Sequence, residues 1–114
     1  MKTVMLNLRL DFPDGSRFGP GKAKLMKGIA ETGSISAAAR KMDLSYPKAS
    51  RLVAEINSAL SEAAILTEAG GAQRGGAKLS ETGQALLQTY ETILQTSLQA
   101  TESKRLALGN LLPL

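Results

Sequence analysis

At 114 residues the chain has room for one domain with a modest core, and none for a separate sensor or catalytic domain beside it. It contains no Cys and no His, which removes disulfides, thiolate and imidazole metal ligands, a Cys nucleophile and the commonest general base, so no catalytic residue, metal site or cofactor is expected. The net charge of +4 is uneven, +5 over residues 1–60 and −1 over residues 61–114, so a polyanion-binding surface belongs in the first half. Such an excess also serves solubility, so charge alone does not decide the matter.

Aromatic residues make up only 4% of the chain against 43% hydrophobic overall, which predicts an aliphatic core of Ala, Leu, Ile and Met. Val4, Leu6, Leu8 and Leu10 alternate with Met5, Asn7, Arg9 and Asp11, the period of a strand with one buried face, up to the turn at Phe12-Pro13-Asp14-Gly15. No continuous apolar run suits a signal peptide or a membrane span, so a cytoplasmic protein without membrane contact is expected. Leu25, Met26, Ile29 and Ala30 then recur at helical spacing, predicting a first helix over roughly residues 21–32 that Gly33 stops. Ser34 or Ser36 can cap a second helix whose Ala37, Ala38, Ala39 and Met42 let a neighbour pack closely. Asp43-Leu44 makes the turn. Ser45 stands at an N-cap position and Pro47 in the first turn, so a third helix runs from Tyr46 to Leu60 with Ala49, Val53, Ile56 and Leu60 inward.

Ala64 to Thr67 and Ala77 to Leu79 are short strand candidates around Gly70-Gly71-Ala72-Gln73-Arg74-Gly75-Gly76, which reads as a hairpin wing. Ser80 opens a last helix of about 25 residues, with Leu86, Leu87, Tyr90, Ile93, Leu94, Ser97 and Leu98 on its apolar stripe, too extended to bury on so small a domain. Its far half is expected to form a dimer surface through Leu87, Tyr90, Ile93, Leu94 and Leu98.

The order of these elements predicts a mainly α fold with a small β part. Residues 1–80 form a winged helix-turn-helix, with the helix-turn-helix at 36–60 and the wing at 64–79, and residues 81–114 form a long C-terminal dimerisation helix and tail. A recognition helix keeps one stripe for the core and turns the other to the major groove, which leaves Tyr46, Pro47, Lys48, Ser50, Arg51 and Ala54 facing out. Arg51 suits a guanine edge or a phosphate, Lys48 either role, and Tyr46 a phosphate or a thymine methyl. Ser36, and Arg74 and Lys78 on the wing, complete the candidate DNA-binding residues, with Gln73 as a further polar contact. A phosphate-loop reading around Gly15 to Ala23 fails, because five residues separate Gly15 from Gly21-Lys22, Pro20 removes an N–H, and Ala23 replaces the Ser or Thr that would hold magnesium. Lys22, Lys24 and Lys27 are then a solvated face or backbone-phosphate contacts.

With these residues identified, the chain resembles the DNA-binding domain of the molybdate-responsive (ModE-type) regulator family and, more distantly, LysR-type winged helices. The resemblance runs from about Leu6 to Tyr90. It is carried by Glu31-Thr32-Gly33-Ser34-Ile35-Ser36-Ala37-Ala38-Ala39-Arg40, by Leu44-Ser45-Tyr46, by Ile56-Asn57, and by Gly70 to Ser80 running into Thr82-Gly83. Pro47 and Ser50 depart from the ModE pattern toward the LysR arrangement Ser45-x-Pro47-x-x-Ser50-Arg51, so the resemblance does not transfer a base preference. It implies a transcriptional regulator that binds double-stranded DNA as a homodimer. The paired oxyanion-binding domains of full-length ModE-type members have no counterpart in the sequence, so direct molybdate binding is not expected. The alternative is a protein-interaction module of the same shape, using the long helix and the apolar tail from Leu106 to Leu112.

Overall fold

The computed structural model describes residues 3–68 and 76–113. Two short strands, β1 (Leu10–Asp11) and β2 (Arg17–Phe18), form an antiparallel ladder with Leu10 opposite Phe18. Three helices follow, α1 (Pro20–Thr32), α2 (Ile35–Lys41) and α3 (Tyr46–Ser58). Strands β3 (Ile65–Thr67) and β4 (Ala77–Leu79) pair antiparallel as the wing, and α4 (Glu81–Ala100) and α5 (Glu102–Gly109) complete the chain. This is the expected mainly α fold with a small antiparallel wing and a long C-terminal helix.

Serine caps begin three of these helices. Ser34 accepts from the Ala37 N–H, Ser45 from Lys48 and Ser80 from Gly83, each satisfying a donor that the helix itself leaves unpaired. Of the two caps weighed for α2, Ser34 fills the role, and Ser36 is left exposed on the first turn. Gly33 ends α1 at φ 74°, in the left-handed region that costs glycine nothing, and its N–H closes on the Ile29 carbonyl. Between α2 and α3 the chain reverses through Asp43 at φ 57°, with the Leu44 N–H bonded to the Ala39 carbonyl at 2.9 Å. An Asp tolerates this conformation better than most side chains, and it swings α3 across α2.

Several expectations need correction. The alternation of residues 4–10 is real in burial, since Val4, Leu6, Leu8 and Leu10 are half-buried and their neighbours exposed, but only Leu10–Asp11 has a strand partner. Alternation reports a face, whereas a strand also needs a neighbour, and none is adjacent among the described residues. The last helix breaks at Thr101, whose hydroxyl bonds back to the Ser97 carbonyl at 2.7 Å, giving helices of 20 and 8 residues. The third helix closes at Ser58, short of Leu60, which still packs on the core from outside it.

The core is aliphatic through Leu25, Met26, Ile29, Ala38, Ala39, Ala49 and Ile56, but an aromatic pair anchors it. Phe18 and Tyr90 meet edge to face, 5.3 Å between centroids at 78°, a favoured geometry for two rings. Tyr90, expected on the dimer surface, is therefore interior. It is 2% exposed, and its hydroxyl donates to the Leu8 carbonyl at 2.7 Å. A stripe at helical spacing cannot separate a helix's own core from a partner's surface.

Candidate nucleic-acid interface

Helix α3 is seated by Ala49, Val53 and Ile56, which are buried against the rest of the helix-turn-helix. At 100° per residue these occupy one narrow arc, and Pro47, Lys48, Arg51, Ala54 and Glu55 lie away from it, all exposed; Tyr46 falls beside Val53 in phase and is exposed because it is the first residue of the helix. Tyr46, at 53% exposure, is a large ring held in water at the start of the helix. Ser50 is half-buried, between the outer face and the core.

The charge on this face is positive because its one acid is engaged elsewhere. Glu55 pairs with Lys22 of α1 at 3.2 Å, and the same ammonium donates to the Arg17 carbonyl at 2.8 Å. Lys22, read from sequence as solvated or on phosphate, has only 14% of its side chain exposed and serves inside the domain. Lys48 and Arg51 enter no ion pair among the described residues, so their charges are available to an anionic partner.

The wing is fixed to this helix by a side chain that sequence reasoning did not single out for any role. The Asn57 amide accepts from the Ala64 and Ile65 N–H groups at 2.9 and 3.0 Å and donates to the Ile65 carbonyl at 3.1 Å. It thereby replaces the missing strand beside β3, satisfying backbone groups that β4 does not reach. At the other edge the Ala77 N–H bonds to the Gly33 carbonyl at 2.9 Å, tying β4 to the end of α1. Lys78 lies between buried Ala77 and Leu79 and points outward. Gln73 and Arg74 lie outside the described residues.

Tyr46, Pro47, Lys48 and Arg51 thus come together on the first two turns of α3, while Ser36 stands on the preceding helix and Lys78 on the hairpin. Of the residues expected at a dimer surface, Ile93 is exposed, Leu87, Leu94 and Leu98 are half-buried, and Tyr90 is withdrawn into the core. No helix among the described residues is long and apolar enough to cross a membrane.

A family model described as bacterial regulatory helix-turn-helix protein, lysR family, matches residues 22–84. Among curated proteins the chain is 39% identical over 79 residues to the molybdenum-pterin-binding protein MopB of Rhodobacter capsulatus, covering 69% of this chain and 29% of that protein. It is 37% identical over 101 residues to the DNA-binding transcriptional dual regulator ModE of Escherichia coli (strain K12), covering 85% of this chain and 36% of that one. The chain spans about a third of the length of these relatives. Its fold is similar to that in the crystal structure of the CbnR DBD–DNA complex, with a TM-score of 0.60 at 23% identity, over 77% of this chain and 95% of that one. The matched segment runs from the first turn of α1 through the wing into α4, and the chain belongs to the bacterial regulatory helix-turn-helix proteins of the lysR family.

Proposed function

We propose that the chain binds double-stranded DNA as a homodimer and regulates transcription, with the outer face of α3 in the major groove and the wing along the backbone. The observation that carries the proposal is the division of α3. One arc is locked into the core, and Lys48 and Arg51 stand away from it with the nearby acid neutralised from behind, beside Tyr46 exposed at the helix's first residue. The names of two similar proteins support it, one a DNA-binding regulator and one a domain crystallised with DNA. In this reading Lys48 and Tyr46 reach phosphate or base edges, Arg51 reads a guanine, Ser36 and Lys78 contact flanking phosphates, and Ser50 positions the helix against the backbone. Arg74, which lies outside the described residues, is proposed as a further phosphate contact.

The second copy is held by the exposed and half-buried leucines and isoleucine of α4 and the apolar residues beyond it. Ile93, Leu94 and Leu98 continue toward Leu106, Leu108, Leu111 and Leu112, of which the last four are all exposed. Two-fold symmetry then asks for a palindromic site with half-sites about 34–36 Å apart, or a multiple of that.

The experiment is footprinting followed by anisotropy titration on the protected site, with Arg51→Ala. The expected loss is about 1–3 kcal/mol, together with relaxed preference at one base pair. Equal affinity of the native chain for all duplexes would overturn sequence-specific recognition.

A further inference from the structure

Residues 3–9 precede β1 without helix or turn, and their side chains alternate in burial residue by residue, as an extended chain does. One edge of this segment is fastened to its own protomer. The Val4 carbonyl accepts from Arg105 of α5 at 3.2 Å, and the Leu8 carbonyl accepts from Tyr90 of α4 at 2.7 Å. Further along, Leu10 pairs with Phe18. These are all even-numbered residues, and in an extended chain successive residues aim their backbone groups at opposite edges. The N–H and C=O groups of Thr3, Met5, Asn7 and Arg9 therefore face away, and among the described residues they have no hydrogen-bond partner within the chain. Met5 is 76% exposed beside this open edge. A straight, open edge of this kind is a template for another strand.

We infer that the open edge of residues 3–11 pairs antiparallel with the same segment of a second copy, centred on Asn7, so that a two-stranded ribbon spans the dimer axis. The inference rests on the dimer reading above and deepens it. Centring on Asn7 is the register that uses the whole edge. On the inner face it sets Val4 opposite Leu10 and Leu6 opposite Leu8, so each protomer's half-buried row runs on into its partner's. On the outer face Arg9 meets Met5 and Asp11 meets Thr3, and no like charges are opposed. A parallel in-register pairing would set Arg9 against Arg9. The ribbon is also continuous with the proposed dimer surface, because the residues that fasten it, Tyr90 and Arg105, belong to α4 and α5.

The chain contains no cysteine, so a single introduced thiol reports its own symmetry mate without interference. In the proposed ribbon the two Asn7 residues form a hydrogen-bonded pair with Cα atoms about 5.5 Å apart, within the range of about 4.4–6.8 Å that a disulfide spans. The two Thr3 residues lie at opposite ends, roughly 27 Å apart at about 3.4 Å per residue. Asn7→Cys and Thr3→Cys are oxidised under the same mild conditions, while sedimentation equilibrium measures the state of the unmodified chain. A dimer in which Asn7→Cys cross-links at least tenfold faster than Thr3→Cys supports the ribbon. A dimer in which both cross-link at the same slow rate overturns the ribbon and leaves the helical dimer standing. A monomer at all concentrations overturns both.

Discussion

Replacing Asn57 with Ala removes the joint between α3 and the wing, and its cost follows from the hydrogen bonds that the amide makes. Three bonds of 2.9–3.1 Å are lost at once, at a net value of about 1 kcal/mol each. The groups left behind belong to Ala64 and Ile65, residues 0% and 2% exposed, so water reaches their amides poorly and the desolvation penalty adds to the loss. Water entering the space of the deleted amide recovers part of it, because Asn57 itself is half-buried. The balance is about 2–4 kcal/mol, or a fall in melting temperature on the order of 10–15 °C for a domain of this size. Urea unfolding followed by circular dichroism measures it, with Ser58→Ala as the neighbouring control. That hydroxyl is exposed and bonds only the Glu55 carbonyl within its own helix, so its loss should stay within about 0.5 kcal/mol. If Asn57→Ala costs less than about 1 kcal/mol, or no more than the control, the wing is held by its apolar contacts and the role given to this amide is wrong.

Gly83 tests the packing of α4 on the wing. A Cβ there would stand 2.2 Å from the Ala64 carbonyl oxygen, a backbone atom that cannot swing aside, so Gly83→Ala should destabilise by about 1–3 kcal/mol. Helix propensity alone predicts a gain of about 1 kcal/mol, so the sign of the change in urea midpoint separates the two accounts. Tyr90→Phe should cost about 1 kcal/mol at neutral pH through the lost bond to Leu8. Burial raises the Tyr90 pKa above its ordinary value, so the folded state favours the neutral phenol. That contribution is complete below about pH 10 and is lost as pH rises through the folded value, so the advantage of the native chain over Tyr90→Phe should shrink in alkaline unfolding experiments. A constant difference across that range would contradict the placement of the hydroxyl.

Local chemistry made much of this fold legible. The capping serines, Pro47 in the first turn of α3, Gly33 after α1 and the turn at Asp43-Leu44 each act within a few residues, and all mark real boundaries. The core arc of α3 at Ala49, Val53 and Ile56 and the exposure of Lys48, Arg51 and Ala54 were equally readable from the helical period, whereas Ser50, expected outside, is half-buried, and Tyr46 is exposed by its place at the helix end and not by its phase. Contacts made across long stretches of chain were not readable. Lys22 reaches Glu55, Asn57 reaches β3, and Tyr90 reaches Leu8, and in each case the partner depends on how elements pack and not on the residue's own neighbours. The same limit explains the misplaced Tyr90 and the missing strand over residues 4–9. Apolar spacing says that a face is covered, but not which element covers it.

The central claim is that the outer arc of α3 and the wing lie on DNA phosphates and bases, and the salt dependence of binding tests it most directly. With affinity for a footprinted site measured by anisotropy across a range of salt, neutralising several phosphates predicts a steep linear fall of log K with log salt, at about −0.9 per phosphate. Lys48→Ala should flatten that slope by about one contact if Lys48 sits on a phosphate. Affinity that does not change with salt, or a slope untouched by removing both Lys48 and Arg51, would contradict the account.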